Sequence, residues 1–313
     1  MKKTMTACVA LLAGAFAMPA MAEYPEGPIK VIVPFATGGM SDGVARVFQK
    51  AFVDHDLLAE PLTIINMDGG GATIGSRAVK DSEADGQTIM LMHLALLSAE
   101  ALGVADYGAE AFEPIAQTGS SCLILATEKD KPYQNLEDLF EAARAHPGEL
   151  TEAVNIGAVV HIASLILADP AGVQFRYVQS GGGAKRIQDL IGGHVETAMF
   201  STAEFKSFEE LGIRGLALLD DERDPTFPDI PTAAEQGYDV TFCVDNWWFA
   251  PAGTAPEKVA VLADALEAAM ATDDVKEAFA ERTITPTFLR GDEFQAHIDE
   301  VGAAIDKAAA KAK

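Results

Sequence analysis

One short segment of this chain has the residues of a serine hydrolase nucleophile turn. Gly39-Met40-Ser41-Asp42-Gly43 has the pattern G-x-S-x-G and lies between an apolar strand pattern and an amphipathic helix pattern. A hydrolase also needs a later acid and a later histidine, and three histidines are available for this role: His161, His194 and His297. The same five letters occur where Ser41 or Asp42 caps a helix after a glycine turn. The motif therefore fits either a nucleophile turn or a helix start at which Ser41 offers its hydroxyl and N–H to a bound group.

Three glycine loops also lie between a strand pattern and a helix pattern: Thr37-Gly38-Gly39, Gly69-Gly70-Gly71 and Gly181-Gly182-Gly183. Glycine lets the backbone approach a ligand closely, and the helix start behind it offers unpaired N–H groups and the positive end of the helix dipole. Such loops also serve as plain connections in α/β proteins. None has the Gly-Lys-Ser/Thr or G-x-G-x-x-G spacing of a nucleotide-binding loop. Three together favour anion binding, and we expect no nucleotide or other cofactor.

The histidines and cysteines indicate no metal site. The six histidines show no H-x-x-x-H spacing, and no C-x-x-C pair is present. His161 stands out because it lies one turn into a helix pattern after Gly157, where it could face a cleft or pack in the core. Cys122 and Cys243 can form one disulfide or remain two buried thiols, and the sequence leaves this choice open.

The elements that must position these residues alternate between strand and helix patterns, which is typical of an α/β fold with a largely parallel sheet. A strand is predicted at 241–249, where it would return the chain to the first block, and the last stretch from 256 to 313 is helical. Two lobes crossed by two connecting strands follow from this order. The other predicted strands are 29–33, 62–65, 87–92, 122–126 and 174–178. The other predicted helices start at Ser41 or Asp42 and cover 72–80, 136–145, 161–168 and 184–191.

The two tryptophans, Trp247 and Trp248, are neighbours within the predicted returning strand. Adjacent residues of a strand point to opposite faces of the sheet. One indole could therefore pack in a core while the other lines a cleft, or both could be core residues.

Composition and charge exclude several classes of protein. The 313 residues are 49% hydrophobic and 22% charged, which describes a globular chain long enough for two lobes. With 23 Lys+Arg against 47 Asp+Glu, the net charge of −24 would repel nucleic acid and anionic lipid surfaces. The first 22 residues form a signal peptide pattern with cleavage after Ala22: a basic start at Lys2 and Lys3, an apolar run at 7–18, and the small residues Ala20-Met21-Ala22. No later segment has the ~20 uninterrupted apolar residues of a membrane helix, so we expect an exported, soluble protein.

The order of motifs along the chain resembles the periplasmic receptors of tripartite tricarboxylate transporters, the Bug or TctC type of solute-binding protein. The matching segments are Val33-Pro34-Phe35-Ala36-Thr37-Gly38-Gly39 with Asp42 and Ala45-Arg46, Asn66 with Gly69-Gly70-Gly71 and Ile74-Gly75, Ala84-Asp85-Gly86-Gln87-Thr88, Gly157 with His161, Arg176-Tyr177-Val178 with the Gly181 loop, Asp189-Leu190-Ile191-Gly192-Gly193-His194-Val195, Pro231-Thr232-Ala233-Ala234-Glu235-Gln236-Gly237, and Trp248-Phe249-Ala250-Pro251-Ala252-Gly253-Thr254. Together these segments span nearly the whole chain after the signal peptide.

This resemblance implies a type II periplasmic-binding-protein fold, in which two α/β lobes are joined by two crossing hinge strands and hold a ligand in the cleft between them. The expected division is a signal peptide at 1–22, the first part of lobe 1 at 23–122, and lobe 2 at 123–243. Residues 244–313 then form the hinge return, the second part of lobe 1 and the C-terminal helices.

The resemblance also implies a function and a site. We expect a monomeric periplasmic receptor, not an enzyme, that captures a small di- or tricarboxylate or related acid for membrane permease subunits. By position, the ligand-binding residues would be Phe35, Thr37, Gly38, Ser41, Asp42, Asn66, Gly69, Gly70, Gly71, Ala72, Gly157, Val159, His161, Ser180, Gly181, Gly182, Asn246 and Trp247. Asp68 stands where the family usually has proline, and an acid facing the cleft would disfavour a highly anionic ligand. The alternatives are a secreted serine hydrolase that uses Ser41 and a periplasmic ligand sensor that shares the site.

Overall fold

The structure is a computed structural model that describes residues 24–156, 158–180 and 182–312. The expected signal peptide and its cleavage point after Ala22 lie outside these residues, and so do Gly157 and Gly181 of the expected site. Within the described part of the chain, no helix is both long enough and apolar enough to cross a membrane.

Strands and helices alternate along most of the described chain. The strands are β1 (Ile29–Val33), β2 (Leu62–Asn66), β3 (Thr88–Met92), β4 (Phe112–Glu128), β5 (Thr151–Val154), β6 (Arg176–Gln179), β7 (Thr197–Ser201), β8 (Ile213–Leu218) and β9 (Cys243–Pro251). The α-helices are α1 (Met40–Asp54), α2 (Thr73–Lys80), α3 (Ala95–Ala101), α4 (Leu136–Ala145), α5 (Val159–Ala171), α6 (Gly183–Ile191), α7 (Thr202–Phe208), α8 (Pro256–Met270), α9 (Asp273–Glu281) and α10 (Gly291–Ala312). Short 3₁₀ turns occupy Gly70–Ala72, Ala109–Ala111, Glu209–Leu211 and Ala234–Gln236.

Lobe 1 consists of β1 to β3 with α1 to α3, α8 and α9. Its strands are parallel in the order β2-β1-β3, and β9 continues the sheet antiparallel to β3. Helix α1 buries Val44, Phe48, Ala51 and Phe52, whose spacing of i, i+4, i+7 and i+8 places them on one face of the helix. The strands run in parallel, so the loops that follow β1 and β2 meet at one edge of the sheet.

Lobe 2 consists of β5 to β8 with α4 to α7. Strands β7, β5 and β6 are parallel neighbours, while β7 and β8 both run antiparallel to β4. The loops after β5 and β6 lead into α5 and α6, so this lobe repeats the strand, loop and helix order of lobe 1.

The 17-residue strand β4 belongs to both lobes. Its first part pairs with β9, and its last part, from Leu123, pairs with β7 and β8. The sequence predicted a strand only from Cys122, but β4 begins at Phe112 because pairing with β9 holds the earlier residues extended. The register partners Cys122 and Cys243 form a disulfide at the crossing point. The open question of their pairing is thus answered in this structure.

Two further segments join the lobes near these crossing strands. Thr285 and Leu289 form isolated bridges to Ser120 and Gln117 of β4. Between those bridges, Gly119 has a φ of +150°, and a Cβ there would lie 2.8 Å from the Phe279 ring. Helix α10 packs on α3 of lobe 1 and on α5 of lobe 2. The hinge region therefore comprises β4, β9, the segment before α10 and α10 itself.

Candidate functional site

A cavity of about 400 Å³ lies at the edge of the sheet where the loops after β1, β2 and β3 meet the start of α5. It is lined from lobe 1 by Pro34, Phe35, Ala36, Asp68, Gly69, Gly71, Ala72, His93, Ala95, Ser98, Ala99, Leu102 and Val104, and from lobe 2 by Ala158 and Val159. The carboxyl edge of an open α/β sheet is the usual place for a ligand. Five of the predicted site residues line this cavity: Phe35, Gly69, Gly71, Ala72 and Val159.

The side chain of Asp42 fixes the conformation of the loop after β1. The Asp42 carboxylate accepts hydrogen bonds from Gly38 N–H (2.8 Å) and Arg46 Nε (3.1 Å), and only 2% of the residue is exposed. The hydrogen bond from Arg46 lowers the pKa of Asp42, which burial alone would raise. Asp42 therefore fixes the turn at Gly38, whose φ is +83°. In this structure it is a positioning residue and does not line the cavity.

The G-x-S-x-G segment forms the first turn of α1. The helix begins at Met40 and its N-cap is Gly39, so the expected capping by Ser41 or Asp42 does not occur. Ser41 is 7% exposed, and among the described residues no histidine donates to or accepts from its hydroxyl. Among the residues that the structure describes, Ser41 therefore has no histidine positioned as its general base. Thr37 is exposed on the same loop but does not line the cavity.

The loop after β2 carries a run of four residues with positive φ. The φ angles of Gly69, Gly70, Gly71 and Ala72 are 115°, 60°, 66° and 77°. Ala72 N–H donates to Gly69 O, but the N–H groups of the three glycines find no acceptor among the described residues. Backbone N–H groups in positive-φ turns at the start of a helix are an arrangement that can bind an anion.

Two contacts fix this second loop against the first. Asn66 Nδ2 donates to Phe35 O (3.0 Å), which joins the two loops through a predicted site residue. Gly75 in α2 packs so closely that a Cβ would lie 2.8 Å from Met67 O and 2.9 Å from Pro34 Cα. These neighbours include backbone atoms, so the position of the glycine loop depends on Gly75 remaining a glycine.

His93 is a cavity residue that the sequence did not identify. Its ring stacks on Phe35 with 4.5 Å between centroids and 13° between planes. Ala95 N–H donates to His93 Nδ1 (3.1 Å), so a neutral imidazole carries its proton on Nε2. Burial lowers the pKa of His93 to about 4, and the ring is neutral at physiological pH. The position of His93 directly after β3, at the ligand edge of the sheet, is the signal that would have found it.

Of the residues expected from lobe 2, Val159 lines the cavity and three others have different surroundings. His161 is 6% exposed with its ring against Tyr177 (4.6 Å), and burial lowers its pKa. Ser180 is buried and its hydroxyl donates to Asp189 Oδ2 (2.7 Å). Gly182 is exposed at the N-cap of α6, outside the cavity. His161 and Ser180 are therefore internal residues of lobe 2 in this structure.

The expected hinge residues Asn246 and Trp247 are buried in β9 and do not line the cavity. Trp247 is 0% exposed, and its indole N–H donates to Gln117 Oε1 (3.1 Å). Asn246 is 4% exposed, and its Nδ2 donates to Gly119 O (3.4 Å). Trp248 is also fully buried. Both indoles are core residues because β9 is an interior strand whose two faces are covered.

A second polar group lies in the hinge, outside the cavity. The Asp245 carboxylate accepts from Ser120 Oγ (2.6 Å) and pairs with His297 Nε2 of α10 (2.7 Å). The hydrogen bond to Asp245 raises the pKa of His297. In the described residues, one cluster has the composition of a metal site, namely Cys122, Asp220 and Cys243, but the disulfide occupies both sulfur atoms.

Comparisons with known proteins show the family and fold of this chain. Residues 44–306 match the family described as "Tripartite tricarboxylate transporter family receptor". The chain is 31% identical to Protein BugT of Bordetella pertussis over 295 residues, which cover 91% of this chain and 90% of BugT. It is similar in structure to a ligand-free TctC solute-binding protein from Polaromonas, with a TM-score of 0.82 and 26% identity over 92% of this chain and 99% of that one.

Two solved structures of similar proteins contain ligands. MatC from Rhodopseudomonas palustris, with bound malate, has a TM-score of 0.74 and 26% identity and covers 91% of this chain and 100% of its own. A second R. palustris protein, with adipate, has a TM-score of 0.77 and 26% identity, and the match covers 93% of this chain and 98% of that protein. The α/β fold with two lobes is that of periplasmic binding proteins of this type, which confirms the expected fold class. The chain therefore belongs to the receptor family of the tripartite tricarboxylate transporters, the solute-binding proteins of the TctC and Bug type.

Proposed function

We propose that this protein captures a small organic carboxylate in the periplasm and delivers it to the membrane subunits of a tripartite tricarboxylate transporter. The observation that carries the proposal is the row of N–H groups at Gly69, Gly70 and Gly71 that have no acceptor among the described residues, beside a cavity that both lobes line. The malate and adipate bound by the two R. palustris proteins support a carboxylate as the ligand class.

The chemistry of the cavity fits a carboxylate held by backbone groups. A carboxylate oxygen accepts several hydrogen bonds, and the glycine N–H groups and the start of α2 supply donors together with a positive dipole. Neutral His93 adds a ring N–H among the lining residues. Among the described residues that line the cavity there is no lysine or arginine, so backbone dipoles supply the positive potential.

Capture requires the two lobes to close on the ligand. We assign residues 23–122 and 244–313 to lobe 1 with the hinge return, and residues 123–243 to lobe 2, because β4 and β9 cross at the Cys122–Cys243 pair. A ligand favours the closed form only through contacts that the open form lacks. Val159, at the start of α5, is the side chain through which lobe 2 would make such contacts.

Thermal unfolding of ligand-free mature protein against mono-, di- and tricarboxylates, with their amides as neutral controls, tests this function. A ligand at one hundred times its Kd stabilises the native state by about 2.7 kcal/mol, which is readily measured. We expect stabilisation by one group of acids and none by the amides. Stabilisation by no acid, or equal stabilisation by the amide, would contradict the proposal.

A pair of glycine variants tests the location of the site. Gly70→Ala places a Cβ 2.5 Å from Thr73 Oγ1 at a φ of +60° and should abolish the ligand-induced shift. Gly212→Ala in lobe 2 is the matched control, because its φ is +88° and the added Cβ meets no atom within 4 Å. It bears similar backbone strain away from the cavity and should retain the shift. Uptake of the identified acid by cells without this gene then tests the transporter partnership, since a sensor would leave uptake unchanged.

A further inference from the structure

One side of the cavity is hydrocarbon. Helix α3 and the turn after it contribute Ala95, Ala99, Leu102 and Val104, and the stacked Phe35 ring lies among the same lining residues. Ser98 is the polar lining residue of this helix, and its hydroxyl donates to Leu94 O (3.3 Å). This apolar wall offers little for a second polar group of a ligand to bind.

The charges around the cavity also disfavour a second anionic group. Asp68 is the acidic side chain among the described lining residues, and it is exposed on the glycine loop. His93 uses Nδ1 to accept from Ala95 N–H, and its neutral ring offers one N–H rather than a positive charge. An ionised carboxylate placed on the apolar wall would lose its hydration without gaining a cation.

We propose that the ligand is a monocarboxylate with an unbranched apolar body, whose carboxylate binds the N–H groups of Gly69 to Gly71 and whose body packs on Phe35, Leu102 and Val104. This inference rests on the proposed function and narrows its ligand class. The cavity of about 400 Å³ corresponds to roughly 13 water volumes, enough for a fatty acid of six to eight carbons.

A chain-length series measures the apolar wall directly. We expect isothermal titration of the ligand-free protein to give an affinity that rises roughly fourfold for each methylene from butyrate to octanoate, because each buried CH₂ contributes a constant transfer free energy. Hexanoate and adipate have the same six carbons and differ by one carboxylate. Hexanoate should bind at least tenfold more tightly than adipate. Equal or tighter binding of adipate, or a flat series, would overturn the inference.

Three variants locate the two ends of the ligand. Leu102→Ala should lower octanoate affinity by tenfold or more and leave acetate affinity unchanged. Leu211→Ala is the control and should change neither affinity, because Leu211 is 51% exposed in lobe 2, outside the cavity. Asp68→Asn should raise hexanoate affinity and raise adipate affinity at least as much, because Asp68 lies on the loop that binds the first carboxylate. Equal loss of acetate and octanoate in Leu102→Ala would show a structural effect and overturn the assignment.

The outcomes separate this inference from the proposed function. Binding of dicarboxylates in preference to monocarboxylates would retain a carboxylate receptor and reject the apolar body. Binding of no acid in the titrations would reject both.

Discussion

Glu152 is a carboxyl group in the interior of lobe 2, and we expect its replacement by glutamine to stabilise the protein at neutral pH. The residue lies in β5 and is 0% exposed. Oε2 accepts a hydrogen bond from Ser164 Oγ (2.6 Å), but Oε1 has no partner among the described residues. The neighbouring Thr197, its register partner in β7, likewise has an unpartnered Oγ1. Burial raises the pKa of Glu152 from 4.5 to about 8, and the hydrogen bond from Ser164 offsets this only in part.

The size of the effect follows from the two pKa values. Below the unfolded value of 4.5, both states carry the proton and Glu152 imposes no penalty on folding. As the pH rises toward about 8, the native state keeps a proton that the unfolded state has released, so stability falls. Each pH unit corresponds to about 1.4 kcal/mol, so the change from about pH 5 to about pH 7.5 costs about 3 kcal/mol.

Urea unfolding of the wild type and Glu152→Gln at a series of pH values measures this difference. Glutamine is neutral at every pH, so the two proteins should have similar unfolding free energies near pH 5, and the variant should be more stable by about 3 kcal/mol near pH 7.5. Glu141→Gln, at an exposed glutamate of α4, is the control and should show no such trend. A difference between Glu152→Gln and the wild type that stays constant with pH, or that favours the wild type as the pH rises, would refute the reasoning.

Three further predictions concern the hinge and the glycine loop. Replacing Cys122 and Cys243 by serine should lower the unfolding free energy by about 4 to 5 kcal/mol, because the disulfide closes a loop with a sequence separation of 121. Thiol labelling of the denatured, unreduced wild type should modify neither cysteine. His297→Gln should destabilise the protein more near pH 6 than near pH 9 in urea unfolding. Because the folded state raises the pKa of His297, the protonated imidazole stabilises the fold below the unfolded-state pKa. This stability is lost as the pH rises through the folded-state pKa. Gly75→Ala should lower the unfolding free energy by about 1 to 3 kcal/mol and weaken ligand binding by displacing the glycine loop. Gly302→Ala is the control in the same thermal assay and should have neither effect, because its Cβ would meet its nearest atom at 3.9 Å.

Local patterns were sufficient to predict some elements with the bounds that the structure shows, whereas α3, which lines the cavity, was not predicted. The strand at 29–33 and the helix at 136–145 were predicted with the bounds that the structure shows. The helix at 136–145 has an Asn135 cap whose side chain accepts from Asp138 N–H, so a local signal marks its start. In both cases the information lies within a few residues of the element.

Elements that depend on distant partners could not be predicted in this way. Strand β4 contains Gln117, Thr118, Ser120 and Ser121, buried polar residues that interrupt any apolar strand pattern. Their hydrogen bonds go to β9, α7 and the segment before α10, more than 80 residues away in sequence. Strands β5, β7 and β8 were likewise missed, because they are short and gain their stability from pairing across the sheet.

Several candidate ligand-binding residues have structural surroundings that differ from the predicted ones. Asp42 and Arg46 are four residues apart in a helix pattern, a spacing that favours an ion pair and would have predicted the structural role of Asp42. Trp247 could not be placed from alternation alone, because both faces of β9 are covered. The sequence therefore identified two of the loops that line the cavity, those after β1 and β2, and missed the loop after β3, while the direction of each side chain depends on long-range packing.

The two lobes contribute unequally to the cavity, and under the proposed function this separates ligand affinity from lobe closure. Of the described lining residues, only Ala158 and Val159 belong to lobe 2, so lobe 1 supplies the unpaired N–H groups, the Phe35–His93 stack and the wall from α3. Under the proposed function, most of the binding free energy would then be available before the lobes close. Closure is driven only by the additional contacts with lobe 2, because a ligand shifts an equilibrium by its difference in affinity for the two states. A ligand can therefore bind lobe 1 tightly and still close the protein weakly, and selectivity at the permease would depend on how far the bound molecule extends toward Val159.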